Sequence, residues 1–158
     1  MKTIYVESSV ISYLTARPSN DLVKSARQAI TIDWWENQKD RFEIFVSELV
    51  EVEIGRGDAE AAAKRLDVAS KIPNLDVSNI ARKIAETLVS EHLIPEKSPE
   101  DALHIGIAAA EGIHYLLTWN FAHINNAETK NSISKLIESM GFAPPILCSP
   151  EELGGRND

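Results

Sequence analysis

The sequence lacks the features that would place it in several large protein classes. It contains one cysteine, Cys148, which excludes an internal disulfide and a zinc site built from several cysteines. No apolar run approaches the roughly 18 residues that a membrane-spanning helix needs. The first residues also lack the apolar stretch and cleavage site of a secretory signal. These absences predict a cytoplasmic protein with no attachment to a membrane.

Basic residues are also in the minority. The chain has 16 Lys and Arg against 24 Asp and Glu, a formal net charge of −8. Broad, non-specific binding to nucleic acid relies on many contacts between basic side chains and phosphates. The negative net charge therefore argues against a non-specific nucleic-acid-binding protein. It does not argue against a nuclease, because a metal-dependent site is itself acidic and the metal neutralises the substrate phosphate.

Short β-type runs alternate with helical patterns along the 158 residues. The runs predict five strands, at Thr3–Val6, Phe42–Val46, Pro73–Val77, His114–Thr118 and Ile146–Cys148. This alternation predicts an α/β fold with a mainly parallel sheet covered by helices on both faces, and therefore a site where strands end at their carboxyl ends. With no repeat or long linker, we expect one domain over residues 1–153 and a loose tail over residues 154–158.

Capping residues mark where two of the helices should begin. Ser9 is predicted to cap the helix that follows the first strand. Ser98 is predicted to cap a later helix that runs to about Glu111, with Pro99 in its first position and Asp101 in its third. Further helices are predicted over residues 21–38, 47–55, 59–70, 78–91 and 129–140.

Polar side chains stand at or near the ends of the predicted strands: Glu7, Glu53, Asp101 and Asn120. Oxygen ligands of this kind suit Mg²⁺ or Mn²⁺. A metal held there can orient a water, lower its pKa and stabilise charge on a phosphodiester. Glu48 and Glu51 lie close to Glu53 in the sequence, and not all three glutamates can be ligands.

Each candidate also has an ordinary structural interpretation. Asp101 fits a capping box with Ser98, and Asn120 is as well suited to cap the turn after it as to bind a metal. His104 lies one turn after Asp101 on the same helix face, and we expect it to be packed or hydrogen-bonded. We expect His123 to be a loop residue rather than a general base.

Four segments resemble, in order along the chain, the sequence blocks of the PIN-domain family. Ile4–Ile11 has an acid and a serine after the first strand, and Val46–Ile54 has a serine that begins a helix with a glutamate six residues later. Ser98–Ala108 contains an Asp-Ala-Leu-His core, which is the most specific of the four. Leu116–Phe121 has a strand and a threonine, with Asn120 where the family has an acid.

The resemblance implies a three-layer α/β/α PIN-like domain with a Mg²⁺- or Mn²⁺-dependent ribonuclease site. Many bacterial members are VapC-type toxins that dimerise and are held inactive by a small antitoxin, so RNA, an antitoxin and a second copy are the implied partners. Carried over to this sequence, the metal carboxylates are Glu7, Glu53 and Asp101. Asn120 takes the fourth metal position, and Ser8 or Ser9 supplies a supporting hydroxyl.

Two positions depart from the family pattern. The first acid is usually aspartate, so the longer Glu7 must fold back or shift the ion. Asn120 can offer a carbonyl oxygen but no charge, which leaves three formal negative charges in the site. A PIN-fold binding or regulatory protein with a weakened site is therefore the alternative function. A phosphoacceptor or phosphatase domain ranks last, because no aspartate nucleophile follows the first strand.

Overall fold

The structure is a computed structural model that describes residues 1–154. Residues 155–158, which belong to the predicted tail, lie outside the described part. Five strands are present in the described residues. The predicted fold class is confirmed, and each strand lies within three residues of its predicted bounds. The strands are β1 (Thr3–Val6), β2 (Glu43–Ser47), β3 (Asn74–Leu75), β4 (Tyr115–Leu117) and β5 (Ile146–Cys148).

Helices connect the strands, and the predicted helical segments all form. The described residues contain α1 (Ser8–Thr15), α2 (Leu22–Asn37), α3 (Glu48–Ile54), α4 (Ala59–Ala69), α5 (Asn79–Ser90), α6 (Pro99–Ala110) and α7 (Lys130–Ser139). A short 3₁₀ turn at Lys39–Arg41 joins α2 to β2. No helix within residues 1–154 is both long enough and apolar enough to cross a membrane.

All strand pairs are parallel, in the order β3-β2-β1-β4-β5. In the register between β1 and β4, Val6 lies opposite Leu117. The chain winds outward from β1 through β2 to β3, then returns to the other side of β1 to form β4. The carboxyl ends of β1 and β4 therefore flank the point where the strand order reverses, which is where open parallel sheets bind ligands.

The helices form two layers. Because crossovers between parallel strands are right-handed as a rule, this strand order predicts α1–α4 on one face of the sheet and α5–α7 on the other. The helix contacts agree with that division, with α1 against α2, α3 and α4, and α5 against α6 and α7. The α5–α6 contact depends on Gly106, where a Cβ atom would stand 2.3 Å from the carbonyl oxygen of Ala81. This close approach fixes the depth of α6, the helix that carries Asp101 and His104.

One predicted cap is wrong, and the other is confirmed in position but lacks its side-chain bond. Ser9 lies inside α1, and the residue that caps this helix is Glu7, whose side chain accepts a hydrogen bond from the Ser9 backbone N–H. Glutamate seldom caps a helix because its chain is long, but here it folds back from the strand end. Ser98 precedes α6 as predicted, yet its side chain makes no capping bond, so no capping box with Asp101 forms.

Candidate metal centre

Glu7 is held at the carboxyl edge of the sheet by its place in the ladder. Its backbone N–H donates to the carbonyl oxygen of Leu117 at 3.1 Å, which extends the β1–β4 pairing by one residue. The side chain is only 6% exposed. Its Oε1 atom accepts hydrogen bonds from the Ser9 N–H (3.1 Å), the Ser9 hydroxyl (2.5 Å) and the Thr118 hydroxyl (2.7 Å). Three donors thus fix one oxygen of this carboxylate.

Glu53 reaches the same edge from the last turn of α3. Its Oε1 atom accepts a hydrogen bond from the Ser8 hydroxyl at 2.5 Å and one from His104 Nε2 at 2.6 Å. The imidazole must be the donor in the second bond, because an ionised carboxylate can only accept. The pattern repeats that of Glu7: the hydroxyl and imidazole donors all contact one oxygen of the carboxylate.

A buried chain of polar groups holds His104 in place behind Glu53. His104 is completely buried, and its Nδ1 atom lies 2.6 Å from the hydroxyl of Tyr5. That hydroxyl lies 2.7 Å from Ser47 Oγ, which accepts the Val50 N–H at the start of α3. Because buried polar networks are stable only when every member is satisfied, this chain fixes the orientation of the imidazole and, through it, of the carboxylate.

The pKa values follow from this arrangement. Burial acts to raise the pKa of Glu53, but the hydrogen bond and charge of His104, together with smaller contributions, lower it to about 2. Burial acts to lower the pKa of His104, but the hydrogen bond to Glu53 and the charges of the surrounding acids raise it above its ordinary value. Burial raises the pKa of Tyr5, so this phenol stays protonated. Glu53 is therefore ionised at neutral pH.

Asp101 and Asn120 are joined by a histidine rather than by each other. Asp101 Oδ2 lies 2.8 Å from His123 Nδ1, and the backbone N–H of His123 donates to Asn120 Oδ1 at 3.0 Å. The backbone N–H of Asn120 in turn donates to the Thr118 hydroxyl at 2.9 Å. Asn120 thus acts as a cap for the turn that follows it, while its amide stands beside the group that anchors Glu7.

The fold brings together some of the predicted residues more tightly than others. Within residues 1–154, one group of three potential ligands has its atoms within 4.8 Å of one another: Glu7, Glu53 and His104. Ser8 joins this group through Glu53. Asp101 lies outside the group but close enough for its charge to raise the pKa of His104. Of the neighbouring glutamates, Glu48 and Glu51 are exposed.

Two residues that the sequence did not single out also stand at this edge. Glu100 lies close enough to Glu53 to contribute to the low pKa of that residue. Glu100 also forms a two-bond ion pair with Arg56, at 2.9 and 3.2 Å, which links the end of α3 to the start of α6. Glu100 precedes Asp101 directly, but nothing in the local pattern indicates that it faces α3.

The sequence matches the PIN-domain family description over residues 4–125, which is most of the chain. The chain belongs to the PIN-domain family. The resemblance seen in the four sequence blocks is therefore confirmed. No curated protein matches the sequence.

Solved structures share the fold of this PIN domain. VapC20 of Mycobacterium tuberculosis, a sarcin–ricin loop cleaving toxin, superposes with a TM-score of 0.58 at 17% identity, over 89% of this chain and 96% of that one. VapBC2 of Rickettsia felis, bound to a DNA fragment from the promoter of its genes, gives a TM-score of 0.57 at 16% identity, over 93% and 98%. At such identities the likeness shows the fold alone.

The donor set suits the divalent metals on which PIN-domain nucleases depend. No hydroxyl, imidazole or amide donor of residues 1–154 contacts the Oε2 atom of Glu7 or of Glu53, or the Oδ1 atom of Asp101. In each carboxylate these donors therefore contact a single oxygen. Hard carboxylate oxygens on a fixed frame are the ligands that Mg²⁺ and Mn²⁺ prefer. His104 Nε2 carries the proton that it donates to Glu53, so it fits the role of an orienting group better than that of a ligand.

Proposed function

We propose that this protein is a Mg²⁺- or Mn²⁺-dependent endoribonuclease that hydrolyses RNA phosphodiester bonds. One observation carries the proposal: Glu7 and Glu53 converge at the carboxyl edge of a PIN-domain sheet, each receiving its hydrogen bonds at Oε1. Negative charges on two carboxyl groups so close together repel each other, and a cation between them relieves that repulsion. A divalent ion bound there would supply an activated water and stabilise charge on the phosphate.

The proposed metal ligands are Glu7, Glu53, Asp101 and Asn120. Ser8 supports the site through its hydrogen bond to Glu53, and Ser9 does the same for Glu7. The Asn120 carbonyl oxygen has a second lone pair beyond the one that accepts the His123 N–H. The residues of the chain therefore hold the carboxylates at fixed positions, which limits the reorganisation needed when the ion and the substrate phosphate bind.

The structural relatives support a proposal about the partners. VapC20 is described as a toxin that cleaves the sarcin–ricin loop, and VapBC2 was solved on promoter DNA. We infer that this chain is the toxin of a type II toxin–antitoxin pair, with RNA as substrate, a small protein antitoxin as inhibitor and a homodimer as its assembly. We place this activity in the cytoplasm, where RNA is available.

A second function is favoured by one feature of the site. Asn120 contributes no charge, and its Oδ1 atom already accepts the backbone N–H of His123. A site with three formal negative charges binds a divalent ion less tightly than one with four. A PIN-fold binding or regulatory protein with a weakened metal site would share every other feature of this structure.

A cleavage assay separates the two functions. The purified protein is incubated with a short fluorogenic RNA and Mn²⁺, with EDTA as one control and Asp101→Ala as a second. We expect cleavage that EDTA abolishes and that the variant lacks. The matched pair Glu53→Gln and Glu51→Gln sharpens the result, because both residues lie on α3 but Glu51 is exposed; only the first should lose activity.

Cleavage that persists in EDTA or in Asp101→Ala would contradict the metal mechanism. If cleavage is absent and calorimetry detects no Mn²⁺ binding, the protein is the binding module instead. Calorimetry therefore decides between a slow enzyme, which binds the metal, and a protein that has lost the site.

A further inference from the structure

An arginine and two aromatic rings form a cluster directly after the fourth strand. The Trp119 and Phe121 rings are perpendicular, at 89°, with centroids 6.0 Å apart. The guanidinium carbon of Arg27 lies 5.4 Å from the centroid of Trp119 and 5.2 Å from that of Phe121. Trp119 is buried, whereas Phe121 is 36% exposed. We call these three residues the Phe121 platform.

The platform is tied to the carboxyl edge by hydrogen bonds. The indole N–H of Trp119 donates to the Thr31 hydroxyl at 2.8 Å, and its backbone N–H donates to Ser9 Oγ at 2.9 Å. The same Ser9 hydroxyl donates to Glu7 Oε1. A single serine side chain therefore connects the platform to the first proposed metal ligand.

The charge of Arg27 is not neutralised by a nearby acid. Among the five salt bridges of residues 1–154, none involves Arg27. In a protein of net charge −8, a half-buried guanidinium placed against two rings and left without a carboxylate is available to another partner. Its planar group can stack on a ring or contact an anion.

We propose that the Phe121 platform stacks a nucleobase of single-stranded RNA next to the phosphodiester that is cleaved. The proposal rests on the proposed ribonuclease function and specifies how the substrate strand is held. Unpaired bases are bound by stacking on aromatic rings and arginine planes, and such stacking tolerates any base. It also provides affinity without the broad basic surface that this sequence lacks.

A protein partner is the competing occupant of this surface. Leu22 and Val23 are exposed at the start of α2, the helix that carries Arg27, and Phe121 adds to the exposed apolar area. The unpaired guanidinium and the link to Glu7 favour RNA, because an apolar interface does not need a charged group at the edge of a metal site.

The test is the binding of a fluorescein-labelled oligouridylate to the full-length protein in EDTA, measured by anisotropy. Phe121→Leu keeps an apolar side chain but removes the ring, and we expect it to weaken binding about tenfold. Phe121→Tyr should restore the affinity to within about twofold, since it restores the ring. Arg27→Met should also weaken binding.

The chain offers a matched control for the arginine. Arg41 lies over the ring of Phe42 at 5.1 Å, just before β2 and therefore at the opposite edge of the sheet. Arg41→Met removes a charge from the same kind of pair but should leave RNA binding unchanged. An oligonucleotide with abasic sugars supplies the second control, because Phe121→Leu and the unaltered protein should bind it equally well.

The outcomes separate this inference from the proposed function. If the unaltered protein binds the RNA through Phe121 but does not cleave it with Mn²⁺, the nuclease assignment fails and the platform stands. If it cleaves RNA while Phe121→Leu binds as tightly as the original, the platform fails alone. Three outcomes would overturn the platform. One is that the protein binds no RNA at all, and another is that Phe121→Leu loses as much affinity for the abasic strand as for the intact one. The third is a changed oligomeric state in a variant whose RNA binding is unchanged. Thermal melts of every variant confirm that it is folded.

Discussion

Two acids of the candidate site each pair with a histidine, but in different surroundings. In the Glu53–His104 pair the imidazole is completely buried and the carboxylate side chain is 17% exposed, and the contact is 2.6 Å. In the Asp101–His123 pair the side chains are 20% and 28% exposed, and the contact is 2.8 Å. Both pairs join a carboxyl group to an imidazole. Burial makes the first pair a fixed part of the core, whereas water and salt screen the second.

The difference in burial leads to different consequences when a partner is lost. Removing one member of a buried pair leaves a desolvated group without compensation, whereas an exposed pair contributes little because water replaces the lost contact. The first pair thus determines where Glu53 stands, and the second holds the turn that contains Asn120 near Asp101. The following variants and conditions test this comparison.

The largest effect is expected from His104→Ala. It removes a buried imidazole, takes one hydrogen-bond partner each from Tyr5 and Glu53 and creates a cavity, so the free energy of unfolding should fall by about 3–5 kcal/mol. Urea unfolding followed by circular dichroism measures this loss. A decrease below about 1 kcal/mol would mean that the buried network does not hold the fold.

Metal binding should stabilise the folded protein next most strongly. At an Mn²⁺ concentration a hundred times the dissociation constant, the free energy of unfolding should rise by about 2.7 kcal/mol. Glu53→Gln should abolish the rise and His123→Ala should keep most of it, because only the first removes a proposed ligand. Thermal melts with and without EDTA provide the measurement; equal loss in both variants would remove the distinction between the pairs.

Acid should lower the free energy of unfolding of the metal-free protein, because Glu53 becomes protonated. Its pKa is lowered from 4.5 to about 2 on folding, so its stabilising contribution is present above about pH 4.5 and is lost as the pH falls towards 2. The His104 pKa is raised above 6.5, so the contribution of that residue is present below 6.5 and is lost as the pH rises through the raised value.

Urea midpoints in EDTA should therefore show a loss on the order of 2 kcal/mol on the acid side. The same series on Glu53→Gln is the control and should lack that loss. An identical acid profile in both proteins would show that another carboxyl group controls acid unfolding.

A smaller change is expected when the fourth acid is restored. Asn120→Asp adds a negative charge beside the proposed ion while retaining the oxygen that accepts the His123 N–H. Calorimetry should show Mn²⁺ binding about tenfold tighter, which corresponds to about 1.4 kcal/mol. Unchanged affinity would place Asn120 outside the metal site and leave it only the capping role.

The smallest effect is expected from His123→Ala. Because the pair with Asp101 is partly exposed, its loss should cost no more than about 1 kcal/mol of unfolding free energy. The same urea experiment compares it with His104→Ala. Losses of equal size in the two variants would show that burial does not separate these pairs.

The fold was predictable because each local signal acts over a few residues. The β-branched runs gave five strands, and alternation with helices predicted a parallel sheet whose carboxyl edge holds the site. The failures concern contacts that depend on the whole chain. The capping role of Glu7 and the missing side-chain bond of Ser98 depend on backbone geometry, which residue type alone does not determine.

In the site, too, local signals were predictable and contacts between distant segments were not. Glu7, Glu53, Asp101, Asn120 and Ser8 were proposed as site residues from motif positions, and their roles as ligands and support remain predictions. The sequence also suggested that His104 would be hydrogen-bonded, but it could not show that Tyr5 and Ser47 complete the chain of bonds behind it. Those residues come from separate strands, and only the sheet register brings them together.

The sequence by itself determined the family, the order of the secondary structure and which acids stand near strand ends, because these depend on residue type and spacing. The tertiary structure alone decided which oxygen of each carboxylate is anchored, that one histidine pair is buried and the other only partly so, and that Arg27 packs against Trp119 and Phe121. Such outcomes depend on distances between segments far apart in the chain, which no local pattern encodes.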